Sequence, residues 1–432
     1  MNHWWLLFLL NLPLLQEVTR KYLIYSDFVF LGADVLSILT AIALALQGKL
    51  NLKALPPVFC LLAPLFIVWT SFNHGISGNH IGIYGIGLRA TFLPLIYMLI
   101  SAQYLSAVSN GYERILVCVN VWILIIGTMA LLQLFLGEHH PINMVWGTMG
   151  LGIGDYTTQD KGILLPGLFR PTSIFTHTGK FGQVIFTLVL FKWCYLAFSQ
   201  IKRSPFSYLL IVFDLIVIFA SGQRAGLTFL ISAVAIIAAL CIQQNVANIG
   251  KLIVGASIIL GAVLLAAMVQ PKLAMAVYDR FASTITSIPI RLEGNFWLPM
   301  KTMLDSYLFM GEGLGSFTFG SHLFGGTLVY RAIKMEGLGE SSLIRFCGEV
   351  GVMATVILVI AYLALVGKGL KVSRDHKGTP LVAGALFYCI WIVSLMLWSN
   401  TADVFANSVV ATLGYALSGA VLARPEKILG DG

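Results

Sequence analysis

Val350-Gly-Val-Met-Ala-Thr-Val-Ile-Leu-Val-Ile-Ala-Tyr-Leu-Ala-Leu-Val366 is a run of 17 residues without a charge. Ile253–Val269 is a second run of the same kind. Neither alternates polar with apolar, as a strand of a membrane barrel does over about 10 residues. Both are apolar on every side, and a helix of about 20 such residues crosses the hydrocarbon of a bilayer. The stretch reads as a membrane-spanning helix, and composition extends that reading to the whole chain. The 432 residues are 58% hydrophobic and 11% charged, where soluble domains carry roughly 25% charged residues. Mean hydropathy is +0.87. A soluble chain this apolar lacks the polar surface to cover its own core.

Outward from Val350–Val366, spans are expected near 4–16, 27–46, 56–72, 89–108, 114–136, 179–199, 206–220, 225–243, 249–269, 349–367, 380–399 and 403–423. The fold class is thus all-α and polytopic: about 12 transmembrane helices form a single bundle over 1–432. Two long connections leave it, an external loop over 137–178 and a large external loop over 270–348 that contains short helices. Trp4–Leu15 resembles a signal peptide, but no small-residue cleavage site follows, so it is read as a retained first helix. Cys60, Cys118, Cys194, Cys241, Cys347 and Cys389 form no CxxC pair and mostly fall within spans. They read as small apolar residues, with neither a disulfide framework nor a zinc site.

Basic residues in short loops set orientation. Lys368, Lys371, Arg374 and Lys377 make the densest basic loop, which is placed in the cytoplasm. Counting spans from there puts Lys202/Arg203, Lys251, Lys49/Lys53, Arg114 and Arg424/Lys427 on that side, with both termini. Arginine departs from the rule. Arg20, Arg89, Arg170, Arg224, Arg280, Arg291, Arg331 and Arg345 all fall in outer loops or near outer span ends. The guanidinium fork grips carboxylates and phosphates bidentately, so an anionic ligand at the outer face is expected. Pairing with Asp279, Glu293, Asp305, Glu336 and lipid headgroups accounts for any single arginine equally well, but less readily for all eight together.

Four stretches carry candidate chemistry. Arg170-Pro-Thr-Ser-Ile-Phe-Thr-His177 leads into a span. Ser221-Gly-Gln-Arg224 sits in a tight outer turn, where its charge is costly without an anion to meet it. Residues 292–309 place Phe296, Met300, Met303, Leu304 and Tyr307 at helical spacing. The glycines Gly311, Gly313 and Gly315 follow; with no strand before them, they read as a turn, not a nucleotide loop. Last comes Gly339-Glu340-Ser-Ser-Leu-Ile-Arg345-Phe-Cys-Gly-Glu349-Val-Gly351. Glu340 serves either as a helix-end carboxylate or as a general base at the membrane boundary. Asp214, inside a span, is either a site residue or satisfied by a neighbouring helix.

Taken in order, Arg170…Ser173…His177…Gly182, Ser221-Gly-Gln-Arg224, Arg291…Trp297, Gly311–Gly315 and Glu340-Ser…Glu349-Val-Gly351 resemble the O-antigen ligase / Wzy polysaccharide polymerase superfamily over about residues 85–367. The resemblance implies a bundle with one large periplasmic loop in the bacterial inner membrane. It implies a glycosyltransferase acting on undecaprenyl-pyrophosphate-linked glycans, with no cofactor and no metal. Ligases of this kind usually carry a His-Asn pair where this chain has Glu340-Ser341, which moves the expectation to a polymerase of repeat units for O-antigen or exopolysaccharide. In the implied mechanism Glu340 takes the acceptor proton and the anomeric centre inverts. Arg170, Arg224, Arg291 and Arg345 neutralise the departing pyrophosphate, with Arg89, Arg280, Arg331 and His177 as further substrate contacts. Expected partners are the lipid-linked glycan, membrane lipids and a chain-length-regulating membrane protein; nucleic acid is not among them. A ligase passing glycan to a terminal acceptor such as lipid A-core, and a transporter or flippase for lipid-linked glycans, are the alternatives.

Overall fold

The computed structural model describes residues 2–23, 28–137, 140–143, 163–165, 168–169, 171–175, 178–198, 205–222, 341–398 and 408–424, and, between 222 and 341, residues 230, 232–237, 239–240, 275, 286, 289–290, 292–318 and 324. Helices dominate: α1 His3–Tyr22, α2 Phe28–Leu46, α3 Pro57–Ser77, α4 Ile81–Ala107, α5 Gly111–Leu136, α6 Thr178–Phe198, α7 Pro205–Ala220, α8 Leu298–Ser306, α9 Ser342–Val350, α10 Val352–Asp375, α11 Pro380–Trp398 and α12 Ser408–Leu417. One small antiparallel hairpin, β1 Ile163–Leu165 with β2 Leu168–Phe169, lies in the connection before α6.

Among the described residues, six helices are long and apolar enough to cross a membrane: α3, α4, α5, α6 from Gly179, α10 and α11. Leu31–Leu46 of α2 and Leu210–Ala220 of α7 are shorter apolar helices. The chain is an α-helical membrane protein. The expected span at 249–269 lies outside the described residues, and the one at 225–243 is described only in fragments, all helical.

Burial sorts the helices. The apolar window of α6 is 94% buried and that of α11 83%, whereas those of α3, α5 and α10 are 33% buried. A helix apolar all round and surrounded by protein is central, so α6 and α11 form the middle of the bundle while α3, α5 and α10 turn most of their surface to lipid. Lipid removes the hydrophobic drive between helices, leaving close packing and interhelical hydrogen bonds. Both are present. Gly127 packs against Phe213 and Val217, and Gly414 against Trp391. Trp391 Nε1 donates to Thr187 Oγ1 at 3.1 Å, Trp122 Nε1 to Asn11 Oδ1 at 2.8 Å, and Ser37 Oγ to the Tyr97 hydroxyl at 3.0 Å.

The contacts define two ends. Asn51 binds the Leu422 carbonyl, the Arg424 N–H binds Ser106 Oγ, and Arg114 lies over the Trp4 ring. These gather the start of α1, the α2–α3 and α4–α5 connections and the end of the described chain at one end, with the last turns of α10. Lys49, Lys53, Arg114, Lys371, Arg374 and Arg424 therefore share the lysine end, as loop charge predicts. The ends of α1, α3 and α5 and the starts of α2, α4 and α6 form the distal end.

Helix boundaries depart from expectation at several places, three of which bear on the site. The first helix runs to Tyr22, beyond 4–16, because Glu17, Arg20 and Lys21 are buried in protein and not in lipid. The fourth begins at Ile81, not 89, with Gly82 and Gly87 where Phe324 and Gly315 approach the helix closely. The expected span 349–367 is α10, which runs on to Asp375; α9 precedes it and the chain breaks between them at Gly351.

Candidate functional site

Residues 171–175 form a re-entrant segment at the distal end. Pro171, Thr172, Ser173, Ile174 and Phe175 are all buried. Ser173 is the anchor. Its Oγ donates to the Ile126 carbonyl at 2.6 Å, and its N–H to Gln133 Oε1 at 2.7 Å. Its carbonyl accepts from Gln133 Nε2 at 3.0 Å and from Lys21 Nζ. Ile126 and Gln133 lie inside α5, so the segment dips back about 16 Å from Gly137 at 1.5 Å per residue. Irregular backbone at that depth is tolerated only where protein satisfies it, as these four bonds do. Ser173 holds φ +54, the only positive-φ non-glycine residue among those described. Such a conformation costs about 1 kcal/mol and persists only when its surroundings over-determine it. Lys21 also donates to Thr172 Oγ1 at 2.7 Å, and Lys180 at the start of α6 meets Glu17 at 3.0 Å.

The second element is the broken helix. Four carbonyls at the end of α9 and four N–H groups at the start of α10 lose helical partners at a break, and 307–313 supplies several. Glu312 N–H donates to the Gly348 carbonyl at 2.9 Å and Gly313 N–H to that of Glu349 at 2.8 Å. Val352 and Met353 N–H donate to the Tyr307 and Leu308 carbonyls at 2.9 and 3.0 Å. Asn73 of α3 adds a bond to the Glu349 carbonyl at 3.1 Å. Gly351 turns the chain at φ +88, and a Cβ there would strike the Phe309 carbonyl. The 24 residues of α10 span about 36 Å, more than the roughly 30 Å of hydrocarbon, so α9 sits above a complete crossing.

Within this joint, Glu349 and Arg345 are 0% and 2% exposed. Glu349 Oε1 accepts from Phe317 N–H and Thr318 Oγ1, each at 3.1 Å, and faces Arg345 Nη1 at 3.6 Å. Arg345 Nη1 donates to Thr318 Oγ1 at 2.8 Å. The ion pair thus ties α9 to the glycine segment. Ser341 caps α9 by accepting from Ile344 N–H at 3.3 Å. The opposite face of α9, Ile344 and Cys347, packs on Met303, with Phe296, Met300 and Tyr307 around them. The expected amphipathic helix over 292–309 is present as far as Ser306, with a π-helical turn at Glu293–Trp297 before α8, while 307–309 leave the helix; Leu304 faces outward. Burial pushes the Cys347 thiol up to about 11.

The glycine segment also docks on α3 and α4. Gly315 lies against Ile83 and Gly87, and Asn79 binds the Glu312 carbonyl. On another face of α4, Arg89 Nε donates to Asp34 of α2.

Of the eight outward arginines, Arg20, Arg89 and Arg345 are placed, all at the distal end, and Arg89 and Arg345 each lie beside a carboxylate. Glu340, Arg170, Arg224, Arg291, Arg280, Arg331 and His177 lie outside the described residues. Their flanking anchors are placed: Ser341 directly follows Glu340, and 171–175 joins Arg170 to His177. Asp214 has a helix partner: Lys192 Nζ at 2.8 Å, with Trp193 Nε1 at 3.0 Å. Sequence reasoning missed Lys192, Asp34, Thr318, Gln133 and the Glu17–Lys21 cluster. Lys192 and Asp34 had a signal, each being a charge inside an apolar run. The chain matches no protein-family model, and no curated protein is significantly similar to it.

Proposed function

We propose that this protein is an integral-membrane glycosyltransferase that polymerises undecaprenyl-pyrophosphate-linked repeat units at the periplasmic face of the bacterial inner membrane, within a bundle of about 12 spans. The observation that carries the reading is a shared end. Three segments far apart in the chain, 171–175, 311–318 and 341–351, are each anchored at the distal end, opposite the basic loops read as cytoplasmic. A site that activates a hydroxyl and stabilises a departing pyrophosphate at the outer surface needs such a gathering of loops on rigid helices.

In this mechanism Glu340 removes the proton from the acceptor hydroxyl as that oxygen attacks the anomeric carbon of the donor glycan. The bond to the pyrophosphate oxygen breaks, the configuration inverts, and arginines including Arg170, Arg224 and Arg291 neutralise the leaving group. Arg345 is a positioning residue: with Glu349 and Thr318 it fixes α9, whose capped start follows Glu340. Glu340→Gln is expected to abolish long polymer in cells while the protein remains in the membrane. Wild-type polymer length in that variant would remove Glu340 as the base.

One observation favours a second reading. Lys192 and Asp214, 2% and 0% exposed, form an ion pair in the spanning region, and buried intramembrane charges often line transport pathways. A transporter would move lipid-linked glycan without any covalent change to it.

A further inference from the structure

Hydrogen bonds fix the depth of the chain that leads to the glycine segment. Val352 and Met353 N–H donate to the Tyr307 and Leu308 carbonyls, so 307–310 lies level with the start of α10. Along that helix Val352 is about 24 Å from Lys368 and about 28 Å from Lys371. The hydrocarbon is roughly 30 Å thick. With those lysines at the cytoplasmic boundary, Val352 stands at the distal one, and so does 307–310. Helix α8 is at the same level, because Phe296, Met300 and Tyr307 pack with Val352 around Met303 and the side of α9.

Helical spacing then sorts the side chains. Phe296, Met300 and Met303, at i, i+4 and i+7, form the stripe turned to α9, and Tyr307 continues it. One residue further on, about 100° round the helix, Trp297, Lys301 and Leu304 form a flanking stripe. Leu308 and Phe309 carry it past the helix end. Among the described residues Trp297 is 64% exposed and Phe309 57%. The opposite flank is polar, with Thr302 and Ser306, while Asp305 and Leu298 lie between the two on the outer side. Leu308, bonded to Met353, joins the apolar flank to the outward stripe Met353, Val356 and Ile360 of α10. That helix turns most of its surface to lipid. At this depth a tryptophan ring sits at headgroup level. A lysine there lays its stem along apolar surface and lifts its amine to the phosphates.

We propose that 297–310 is an interfacial anchor: Trp297, Leu304, Leu308 and Phe309 are set into the phospholipids of the distal leaflet, and Lys301 reaches their phosphates. The partner is the lipid surface as such, so the inference stands apart from the reaction proposed above. The anchor has a consequence for the broken helix. The inner stripe of α8 packs on α9, so the Arg345–Glu349 joint is tied to the bilayer twice, by α10 within it and by α8 on its surface.

The test places the photoreactive amino acid benzoylphenylalanine singly at Trp297, Leu304 and Phe309 of the full chain. The protein is held in liposomes of phosphatidylethanolamine and phosphatidylglycerol, and each adduct is identified by mass spectrometry. Ile360, on the outward stripe of α10, is the lipid-facing reference, and Thr302 the polar one. Phospholipid adducts at the three positions are expected within about threefold of the yield at Ile360 and about tenfold or more above that at Thr302. Adducts to another part of the same chain mean that protein covers the flank, and overturn the proposal. Adducts to a second copy make the flank a subunit interface and overturn it equally. Yields as low as at Thr302 place the flank in water, with the same result. The unsubstituted chain supplies a measurement free of any folding defect. Hydroxyl radicals from the aqueous phase should oxidise Trp297 about tenfold more slowly in liposomes than in the denatured chain, and equal rates overturn the proposal.

Discussion

Replacing Glu349 by Gln removes one charge from a site where nearly nothing else is exposed. Glu349 and Arg345 are 0% and 2% exposed, and one carboxylate oxygen serves Phe317 N–H, Thr318 Oγ1 and the Arg345 guanidinium together. The amide oxygen of glutamine can still accept from Phe317 and Thr318, so the loss is chiefly electrostatic. Breaking a buried pair from one side costs about 3–5 kcal/mol, because the other charge stays behind. Replacing both members with apolar residues of similar size is often close to neutral. Glu349→Gln should therefore lower the midpoint of thermal unfolding of the detergent-purified chain sharply, and Arg345→Met combined with Glu349→Leu should recover most of the loss. Polymer formation separates the two roles of Arg345. A positioning residue lets the apolar double variant retain measurable polymer, whereas a pyrophosphate ligand does not. If Glu349→Gln unfolds at the wild-type temperature, or if the double variant is less stable than the single one, the ion pair does not hold the α9 joint and the reasoning fails.

Gly315→Ala should destabilise by about 2–4 kcal/mol, combining a residue at φ +90 with a Cβ 2.9 Å from the Gly87 amide nitrogen, backbone that cannot swing aside. Gly85→Ala, in open space on the same helix, should be neutral or stabilising by about 1 kcal/mol in the same unfolding assay. Ser173→Gly should be milder than Ser173→Ala: both lose the 2.6 Å bond to Ile126, but only glycine relieves the φ of +54. Equal unfolding midpoints for the two would show that this backbone is not strained. Lys192→Met should cost about 3–5 kcal/mol by stranding Asp214, and Lys192→Met with Asp214→Asn should restore stability. Polymer made by that neutral double variant marks the pair as structural; its absence in a stable protein favours the transport reading.

Apolar runs located nearly every described helix, because in lipid the backbone must satisfy itself and a span can hardly be anything but helical. What they missed is where protein replaces lipid. The end of α1 reads as a loop because Gln16-Glu17…Arg20-Lys21 is charged, yet these side chains are buried against 171–175 and α6. The start of α4 reads as a glycine loop, yet Gly82 and Gly87 are places where Phe324 and Gly315 approach the helix. The break at Gly351 was invisible because its backbone groups are satisfied by 307–313, some forty residues earlier in the chain. For the site, outward arginines pointed to the distal end but gave no pairing. Asp34 and Glu349, which set what Arg89 and Arg345 can do, become partners only through helix packing.

The central claim is covalent joining of lipid-linked repeats, and purified full chain in liposomes tests it most directly. Given undecaprenyl-pyrophosphate-linked repeat units alone, the wild-type protein is expected to produce a ladder of glycans that Glu340→Gln does not. A single transfer to an added terminal acceptor, or passage of the lipid-linked glycan with no new glycosidic bond, would contradict it.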